Sequence, residues 1–187
     1  MLGNKLLRGN LVYLTANTID DAEQIAKWFN DLDVSYWSNY HIRLVNTEQK
    51  QQRLKQFWEN KNFSFAIRTI AEDRYIGIAS LDAPDWRNRK TMLGVTIGDK
   101  RYWGQGYGSD TVQIMLRYAF LELNLHRVHL GVFSYNTRAI RAYEKIGFVH
   151  EGARREALFR DGQYHDMLIM SILRHEWEAR YIYQNSQ

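Results

Sequence analysis

A turn with three glycines, leading into the strongest helical pattern of the chain, most constrains what this sequence can fold into. Gly104, Gly106 and Gly108 stand at alternate positions. Residues 91–97 before them predict a strand. After them, apolar residues recur on one helix face at positions 112, 115, 116, 119 and 120. Glycines allow close approach of a ligand, and the positive end of the helix dipole lies behind them. The segment predicts a phosphate or pyrophosphate site, with a turn that binds nothing as the alternative.

The spacing of these glycines differs from two common phosphate-binding fingerprints. A dinucleotide-binding G-x-G-x-x-G calls for an acidic residue about 20 positions further on, where this chain has Leu125, His126 and Arg127. A P-loop needs Gly-Lys followed by Ser or Thr, and the turn has no such sequence. The pattern therefore predicts neither of these two nucleotide sites.

A second motif covers residues 136–148, where a helix is predicted. Asn136 can cap this helix and still reach a ligand amide, and Ala139 leaves room beside the helix axis. Tyr143 lies one turn after Ala139 on the same face, and Gly147 ends the helix. The spacing predicts a phenol that points into a cleft formed with the preceding strand. A packed aromatic ring is the alternative.

The order of the remaining elements predicts one mixed α/β (α+β) domain over residues 1–187. A strand at 11–14 and a helix from 20 to 29 come first, followed by a loop or short helices at 30–45 and a helix from 46. A meander (63–67, 75–81, 91–97) precedes the glycine turn and its helix. A strand at 128–132, the helix at 136–145, a hairpin (149–159, 164–173) and a short helix at 174–181 follow. The hairpin turn is Arg160-Asp161-Gly162-Gln163, because Asp-Gly favours tight turns.

Composition excludes several classes of protein. The chain of 187 residues has no cysteine, which excludes disulfides, thiolate metal sites and a cysteine nucleophile. No apolar run approaches the ~20 residues of a membrane span, and no signal-peptide core is present, so we expect a cytoplasmic protein. The net charge is +4. The densest basic cluster, residues 87–90, resembles a solvated rim, so we expect no nucleic-acid partner and no membrane partner. His126 and His129 point to opposite faces of a strand, so no metal is expected.

The two motifs together resemble the GNAT superfamily of acetyl-CoA-dependent N-acetyltransferases, in particular its RimJ/RimL-like and polyamine acetyltransferase branch. The resemblance is carried by residues 102–108, 136–148 and 152–173, the last with Asp161-Gly162-Gln163-Tyr164-His165-Asp166. It is strong over the second half of the chain, and it extends to the first half only in element order. It implies a mixed, mostly antiparallel seven-stranded sheet flanked by helices, with a splayed cleft between the fourth and fifth strands.

The resemblance also implies roles for single residues. The family motif R/Q-x-x-G-x-G/A, which holds the pyrophosphate of coenzyme A, falls on Trp103, Gly106 and Gly108, so a Trp replaces the usual Arg or Gln. Asn136 matches the position that bonds the pantetheine arm, and Tyr143 matches the tyrosine that protonates the departing thiolate. The expected acetyl-CoA-binding residues are Thr96, Ile97, Gly98, Trp103, Gly104, Gln105, Gly106, Tyr107, Gly108, Ser109, Asn136 and Ala139.

The implied reaction is direct acetyl transfer to a primary amine through a tetrahedral intermediate, with an N–H group near Ile97 as donor to the oxyanion. The acceptor is a protein N-terminus, a polyamine or another small amine. Direct transfer needs no enzyme nucleophile. The carboxylate that often serves as base falls on Met92 or Leu93, neither of which accepts a proton. Glu156 is the substitute we select. The remaining candidates are Asp166, His165, His41 and a water chain.

Acceptor recognition is expected in residues 30–45 and in the last hairpin. Tyr36, Trp37 and Tyr40 could pack an aliphatic amine or stack on a cation, and the same rings could belong to the core. Acidic Asp31, Asp33 and Glu151 could attract a cationic substrate. A homodimer is common in such families. The rival hypothesis, prompted by Met92, is a catalytically silent domain that binds acyl-CoA as a sensor or scaffold.

Overall fold

The protein is built on one seven-stranded sheet with strand order β1-β2-β3-β4-β5-β7-β6. The structure is a computed structural model and describes residues 6–37 and 43–185, with side chains up to residue 181. The strands are β1 (Val12–Ala16), β2 (Phe63–Thr69), β3 (Tyr75–Asp85), β4 (Lys90–Ile97), β5 (Arg127–Phe133), β6 (Val149–Arg160) and β7 (Gln163–Leu173). The helices are α1 (Ala22–Asn30), α2 (Leu32–Trp37), α3 (Thr47–Glu59), α4 (Tyr107–Arg117), α5 (Thr137–Ile146) and α6 (Arg174–Asn185).

The sheet is antiparallel except where β4 meets β5. These two strands run parallel and pair only over residues 90–92 of β4 and 127–129 of β5. Beyond this short contact the strands separate, although β4 continues to Ile97 and β5 to Phe133. The mixed, mostly antiparallel sheet and its splayed cleft between the fourth and fifth strands are therefore confirmed.

Local sequence signals explain where the helices around the cleft begin and end. Gly106 caps the N-terminus of α4 with a φ of 90°. Asn136 caps α5 through a bond that its side chain accepts from the Ala139 N–H, and Gly147 ends α5 with a φ of 118°. In the β6–β7 hairpin Asp161 and Gly162 both have positive φ, as the predicted Asp-Gly turn requires.

The apolar face of α4 is buried as its spacing predicts. Val112, Met115, Leu116, Ala119 and Phe120 are all at most 2% exposed and lie in the main core. The last two follow α4 in a π-helical turn (Tyr118–Glu122). Packing α4 against the sheet fixes the glycine turn at one end of the cleft.

The loop or short helices predicted at residues 30–45 include the short helix α2. One element boundary needed correction. Strand β3 does not end at Leu81, because it continues past a bulge and pairs Asp85 with Lys90. Asp82 therefore lies within the sheet, opposite Met92, and the polar connection to β4 is shorter than expected.

Within the described residues, no helix combines the length and the apolar character that crossing a membrane requires.

Candidate active site

A cavity of about 410 Å³ lies where β4 and β5 separate. Its walls come from β3, β4, β5, the glycine turn, α4, α5 and the α1–α2 region. The predicted site residues that line it are Trp37, Thr96, Ile97, Trp103, Gly104, Gly106, Gly108, Ser109, Asn136, Ala139 and Tyr143. Predicted residues outside this lining are Tyr36, Gly98, Gln105, Tyr107 and Glu156, and Tyr40 lies outside the described residues.

The glycine turn presents open backbone to this cavity. Gly104 has a φ of 74° and Gly106 a φ of 90°, values that favour glycine strongly. A Cβ added to Gly104 would meet no atom within 4 Å. The N–H groups of the first turn of an α-helix have no partner within the helix, and those of α4 begin directly after Gly106. This combination of free space, N–H donors and helix dipole fits the diphosphate of coenzyme A.

The side chain of Trp103 is turned back onto the end of β4. Its Nε1 donates to the Ile97 carbonyl oxygen over 2.7 Å. The Arg138 guanidinium of α5 lies 4.8 Å from the centre of the Trp103 ring and 5.8 Å from that of Trp37. A cation therefore stands beside the turn although the motif's first position is Trp. Arg138 was not predicted as a site residue, because in the sequence it is only a basic residue two positions after the Asn136 cap of α5.

The exposed edge of β4 differs from the predicted one by one residue. The Gly98 N–H donates to the Ile76 carbonyl of the β3 side over 2.9 Å. Backbone groups alternate in direction along an antiparallel strand, so Thr96 also points its groups to β3. Val95 and Ile97 therefore point theirs into the cleft. Gly98 packs instead on Trp28, whose Cδ2 would lie 2.1 Å from an added Cβ.

The two polar side chains predicted on α5 both reach the cavity. Asn136 is buried, and its Oδ1 accepts from the Ala139 N–H over 3.2 Å, so its Nδ2 amide is the donor it offers a ligand. Tyr143 is half-buried, and its ring centre lies 5.5 Å from that of Phe148. Burial raises the pKa of Tyr143 to about 12. The phenol therefore keeps its proton at neutral pH.

None of the described residues that were expected to supply a base is a proton acceptor in the cavity lining. Met92 lines the cavity and Leu93 is buried, and neither can accept a proton. Glu156 is exposed, and its backbone N–H donates to Asp166 Oδ1 over 2.8 Å. Neither Glu156 nor Asp166 belongs to the cavity lining. The His165 ring packs edge-on against Tyr135. His41 lies outside the described residues.

One carboxylate that the sequence analysis missed does line the cavity. Asp82 of β3 faces it, and its Oδ1 is buried without a hydrogen-bond partner among the described residues. Burial raises the pKa of Asp82, while a hydrogen bond from the Ser80 side chain lowers it. Asp82 lies two residues before Pro84, so the sequence around it indicates the start of a turn and not a site residue.

Aromatic and apolar side chains form a further wall of the cavity. Phe29, Val34 and Trp37 supply it from α1 and α2. Tyr36 packs instead between Trp37 and Tyr135, with ring centres 5.0 and 5.3 Å away.

The carboxylates expected to attract a cationic substrate are paired. Lys100 Nζ lies 2.9 Å from Asp31 and 2.6 Å from Asp33. Glu151 is bonded to Arg127, and this hydrogen bond is the main cause that lowers the pKa of Glu151 to about 2. Across the part of the chain that the structure describes, no group of three or more acidic or histidine side chains is placed to hold a metal ion.

Comparison with known proteins agrees with this geometry. The family "Acetyltransferase (GNAT) domain" matches residues 12–149. The Probable N-acetyltransferase YjcK of Bacillus subtilis is 27% identical over 179 residues, which cover 90% of this chain and 97% of the relative. The spermidine N(1)-acetyltransferase of Vibrio cholerae is 29% identical over 147 residues, which cover 79% and 83%.

A solved structure shares the fold over most of the chain. It is the spermidine N-acetyltransferase from Vibrio cholerae in complex with CoA and spermine, with a TM-score of 0.82 at 24% identity. The match covers 89% of this chain and 98% of that one. With residues 12–149 matched by the family, this chain belongs to the GNAT acetyltransferases and is an acetyl-CoA-dependent enzyme.

Proposed function

We propose that this enzyme acetylates a primary amine that carries one ammonium group beside an apolar body. The observation that supports this most is the single cavity that connects the glycine turn, Tyr143, Asp82 and the apolar wall of α1 and α2. Such a cavity has room for a thioester from one side and an amine from the other. A protein N-terminus and a small amine both carry such a group, and a polyamine carries several.

The residues that would hold acetyl-CoA follow from the backbone geometry. The N–H groups of residues 104–109 would hold the diphosphate, with Arg138 beside them as a cation. The Val95 and Ile97 backbone and the Asn136 amide would hold the pantetheine arm. When bound, acetyl-CoA supplies the acetyl group as an activated thioester. These assignments place the acetyl end of the arm toward Tyr143.

Tyr143 is the proposed proton donor at the departing sulfur. Its pKa of about 12 lies above the value of about 8.5 for a thiol in water, so full proton transfer to a solvated thiolate would be uphill. Burial raises the pKa of a thiol as well, which brings the two groups closer in acidity. The Tyr143 Oη therefore donates a hydrogen bond to the sulfur, and its proton follows as negative charge develops there.

The charges in the cavity favour an acceptor with a single ammonium group. Within the described lining, Asp82 is the only carboxylate and Arg138 the only cation. A second or third positive charge on a polyamine would meet Arg138 or the apolar wall. The match in sequence and in fold to the spermidine N-acetyltransferase of Vibrio cholerae nevertheless supports the inclusion of polyamines as acceptors to be tested.

The first test is turnover with a panel of amines. Purified protein is mixed with acetyl-CoA and either an aromatic or aliphatic monoamine, spermidine, or a peptide with a free N-terminus. Thiol release and the mass of the product are measured. We expect release above the amine-free rate, with the highest kcat/KM for monoamines. Binding of coenzyme A without turnover on any amine would instead support the sensor hypothesis, and the highest kcat/KM for spermidine would contradict the single-ammonium proposal.

A matched pair of glycine variants tests the acetyl-CoA site. Gly104 and Gly162 have φ values of 74° and 76°, and a Cβ added to either would meet no atom within 4 Å. Ala at either position therefore costs a similar strain, about 1 kcal/mol. We expect Gly104→Ala to raise the Kd of coenzyme A by about 10–100-fold, because one or two bonds to a charged group are lost.

The control, Gly162→Ala, lies in the β6–β7 turn and should leave this Kd unchanged. Isothermal titration calorimetry measures both variants. Equal Kd values for Gly104→Ala and Gly162→Ala would remove the glycine turn from the site.

Several expectations from the sequence stay predictions, among them the roles of the single site residues, the single domain over residues 1–187, the RimJ/RimL-like branch, the cytoplasmic location and the homodimer. Light scattering on the purified protein measures the last of these directly.

A further inference from the structure

We propose that Asp82 is the general base of the reaction and accepts a proton from the ammonium group of the acceptor. This inference rests on the proposed function and names a catalytic residue for it. Asp82 lies in the cavity wall with one carboxylate oxygen unpartnered among the described residues and the Ser80 hydroxyl beside it.

Position comes first. Asp82 and Met92 are directly paired across β3 and β4, so their side chains leave the sheet on the same face. Both line the cavity. Directly opposed residues on neighbouring strands are only about 5 Å apart. The Asp82 carboxylate therefore faces the same end of the cleft as Met92, but it lies on β3 and not on β4.

The hydrogen-bonding state of Asp82 indicates a missing donor. Its Oδ1 is buried and finds no partner among the described residues. A buried carboxylate oxygen without a donor is costly, and most such groups in folded proteins are satisfied. A primary ammonium carries three N–H donors. An acceptor amine in the cavity would supply the donor that the protein itself does not.

The neighbourhood of Asp82 leaves space for polar contacts. Ser80 lies two residues earlier on the same face of β3 and opposite Gly94 of β4. A Cβ on Gly94 would lie 2.7 Å from Ser80 Oγ. The glycine thus makes room for a hydroxyl beside the carboxylate.

Lys90 and Arg127 on this face are paired with carboxylates, whereas His129, opposite Met92, has a buried Nδ1 without a hydrogen-bond partner among the described residues. On β4 and the end of β3, Lys90 Nζ lies 3.8 Å from Asp85. On β5, Arg127 is bonded to Glu151, and burial is the main cause that lowers the pKa of His129. The side chains that α1 and α2 bring to the cavity (Phe29, Val34, Trp37) are uncharged.

Burial therefore dominates the titration of Asp82 and raises its pKa. A raised pKa makes the carboxylate a stronger base. It also means that the base is lost on acidification at a higher pH than an ordinary Asp of pKa about 3.9. The acid limb of kcat/KM should reflect this protonation.

The proton balance of the step is simple. An alkyl amine with a pKa near 10.4 is almost entirely protonated at pH 7. One N–H bond of the ammonium breaks, an O–H bond forms on Asp82, and the neutral amine gains the lone pair that attacks the acetyl carbon. That proton then passes from Asp82 to solvent. As the C–N bond forms and the C–S bond breaks, the nitrogen loses a second proton to solvent and the sulfur takes the Tyr143 Oη proton. Tyr143 then regains a proton from solvent, so the products are the amide, the free thiol and one released proton.

The test compares Asp82→Asn with Asp85→Asn, a carboxylate on the same strand outside the cavity lining. With the best acceptor of the amine panel, we expect Asp82→Asn to lower kcat/KM about 100-fold at pH 7 and to abolish the acid limb of its pH profile. The Kd of coenzyme A should not change. An acceptor whose electron-withdrawing groups keep it neutral at pH 7 should lose much less. Asp85→Asn should match the wild type in activity.

A second variant covers the case in which Asp82→Asn does not fold, as judged by its melting curve. Ser80→Ala removes the hydrogen bond that lowers the pKa of Asp82, so the acid limb should move to higher pH. The role of Asp82 would be overturned, with the proposed function intact, by either of two results with an active wild type. One is a kcat/KM of Asp82→Asn within threefold of the wild-type value, and the other is an acid limb of kcat/KM that does not move in Ser80→Ala. A wild type without turnover on any amine would overturn both.

Discussion

Replacing Tyr143 by phenylalanine is expected to lower kcat roughly 10–1,000-fold, with little change in the Kd of coenzyme A. The variant keeps the ring and its packing against Phe148 but removes the phenol proton that α5 brings to the cavity. That proton is needed at the sulfur only as the thioester breaks, so the loss should fall on kcat and leave ground-state binding intact.

Tyr118→Phe is the matched control for this variant. Tyr118 is also half-buried with a pKa raised by burial, but it packs against Phe63 and Phe65 away from the cavity lining. Steady-state thiol release gives kcat for both variants, and calorimetry gives the Kd. If Tyr143→Phe turned over at the wild-type rate, the phenol would have no part in the chemistry.

The largest effect on stability is expected for Phe120→Ala, which should lower the free energy of unfolding by about 3–5 kcal/mol. The Phe120 side chain is completely buried, and its ring centre lies 5.4 Å from that of Trp177 on α6. Removing the ring loses its transfer free energy and leaves a cavity between α6 and the turn that follows α4. Urea denaturation followed by circular dichroism measures the change.

Phe159→Ala makes the same chemical change on the surface, where Phe159 is 61% exposed and packs at a tilt against Tyr164. It should cost less than about 1 kcal/mol. Equal losses in the two variants would mean that burial of Phe120 does not carry the stability assigned to it.

Much of the cosubstrate half of the site could be predicted because its signals are local in sequence. The glycine turn, the Asn136 cap and Tyr143 one turn beyond Ala139 each lie within a dozen residues of the element that positions them. Helix periodicity and capping then determine which way the groups point. The structure brings all of them to one cavity.

The acceptor half could not be predicted in the same way, because it is assembled from distant segments. Asp82 faces a cavity whose other walls include β4 and the α1–α2 region. That region precedes it by more than 40 residues, so the sequence neighbours of Asp82 show only a strand end near Pro84. Which backbone groups of β4 point into the cleft depends on strand register, because a shift of one residue reverses every backbone direction. Thr96 and Gly98 were therefore predicted in place of Val95. Arg138 can be recognised as a site residue only from its contact with the Trp103 ring.

The separation of β4 from β5 has a consequence for how this enzyme tolerates substitution. Main-chain amides at the parted edge and in the glycine turn are present whatever side chains the chain carries, so recognition of the thioester carrier can survive a side-chain change such as Trp103 at the first position of the glycine-turn motif. The wall supplied by α1 and α2 is made of side chains, each of which a single codon can replace. Divergence among such proteins should therefore accumulate in what they acetylate, while the donor they draw on stays the same.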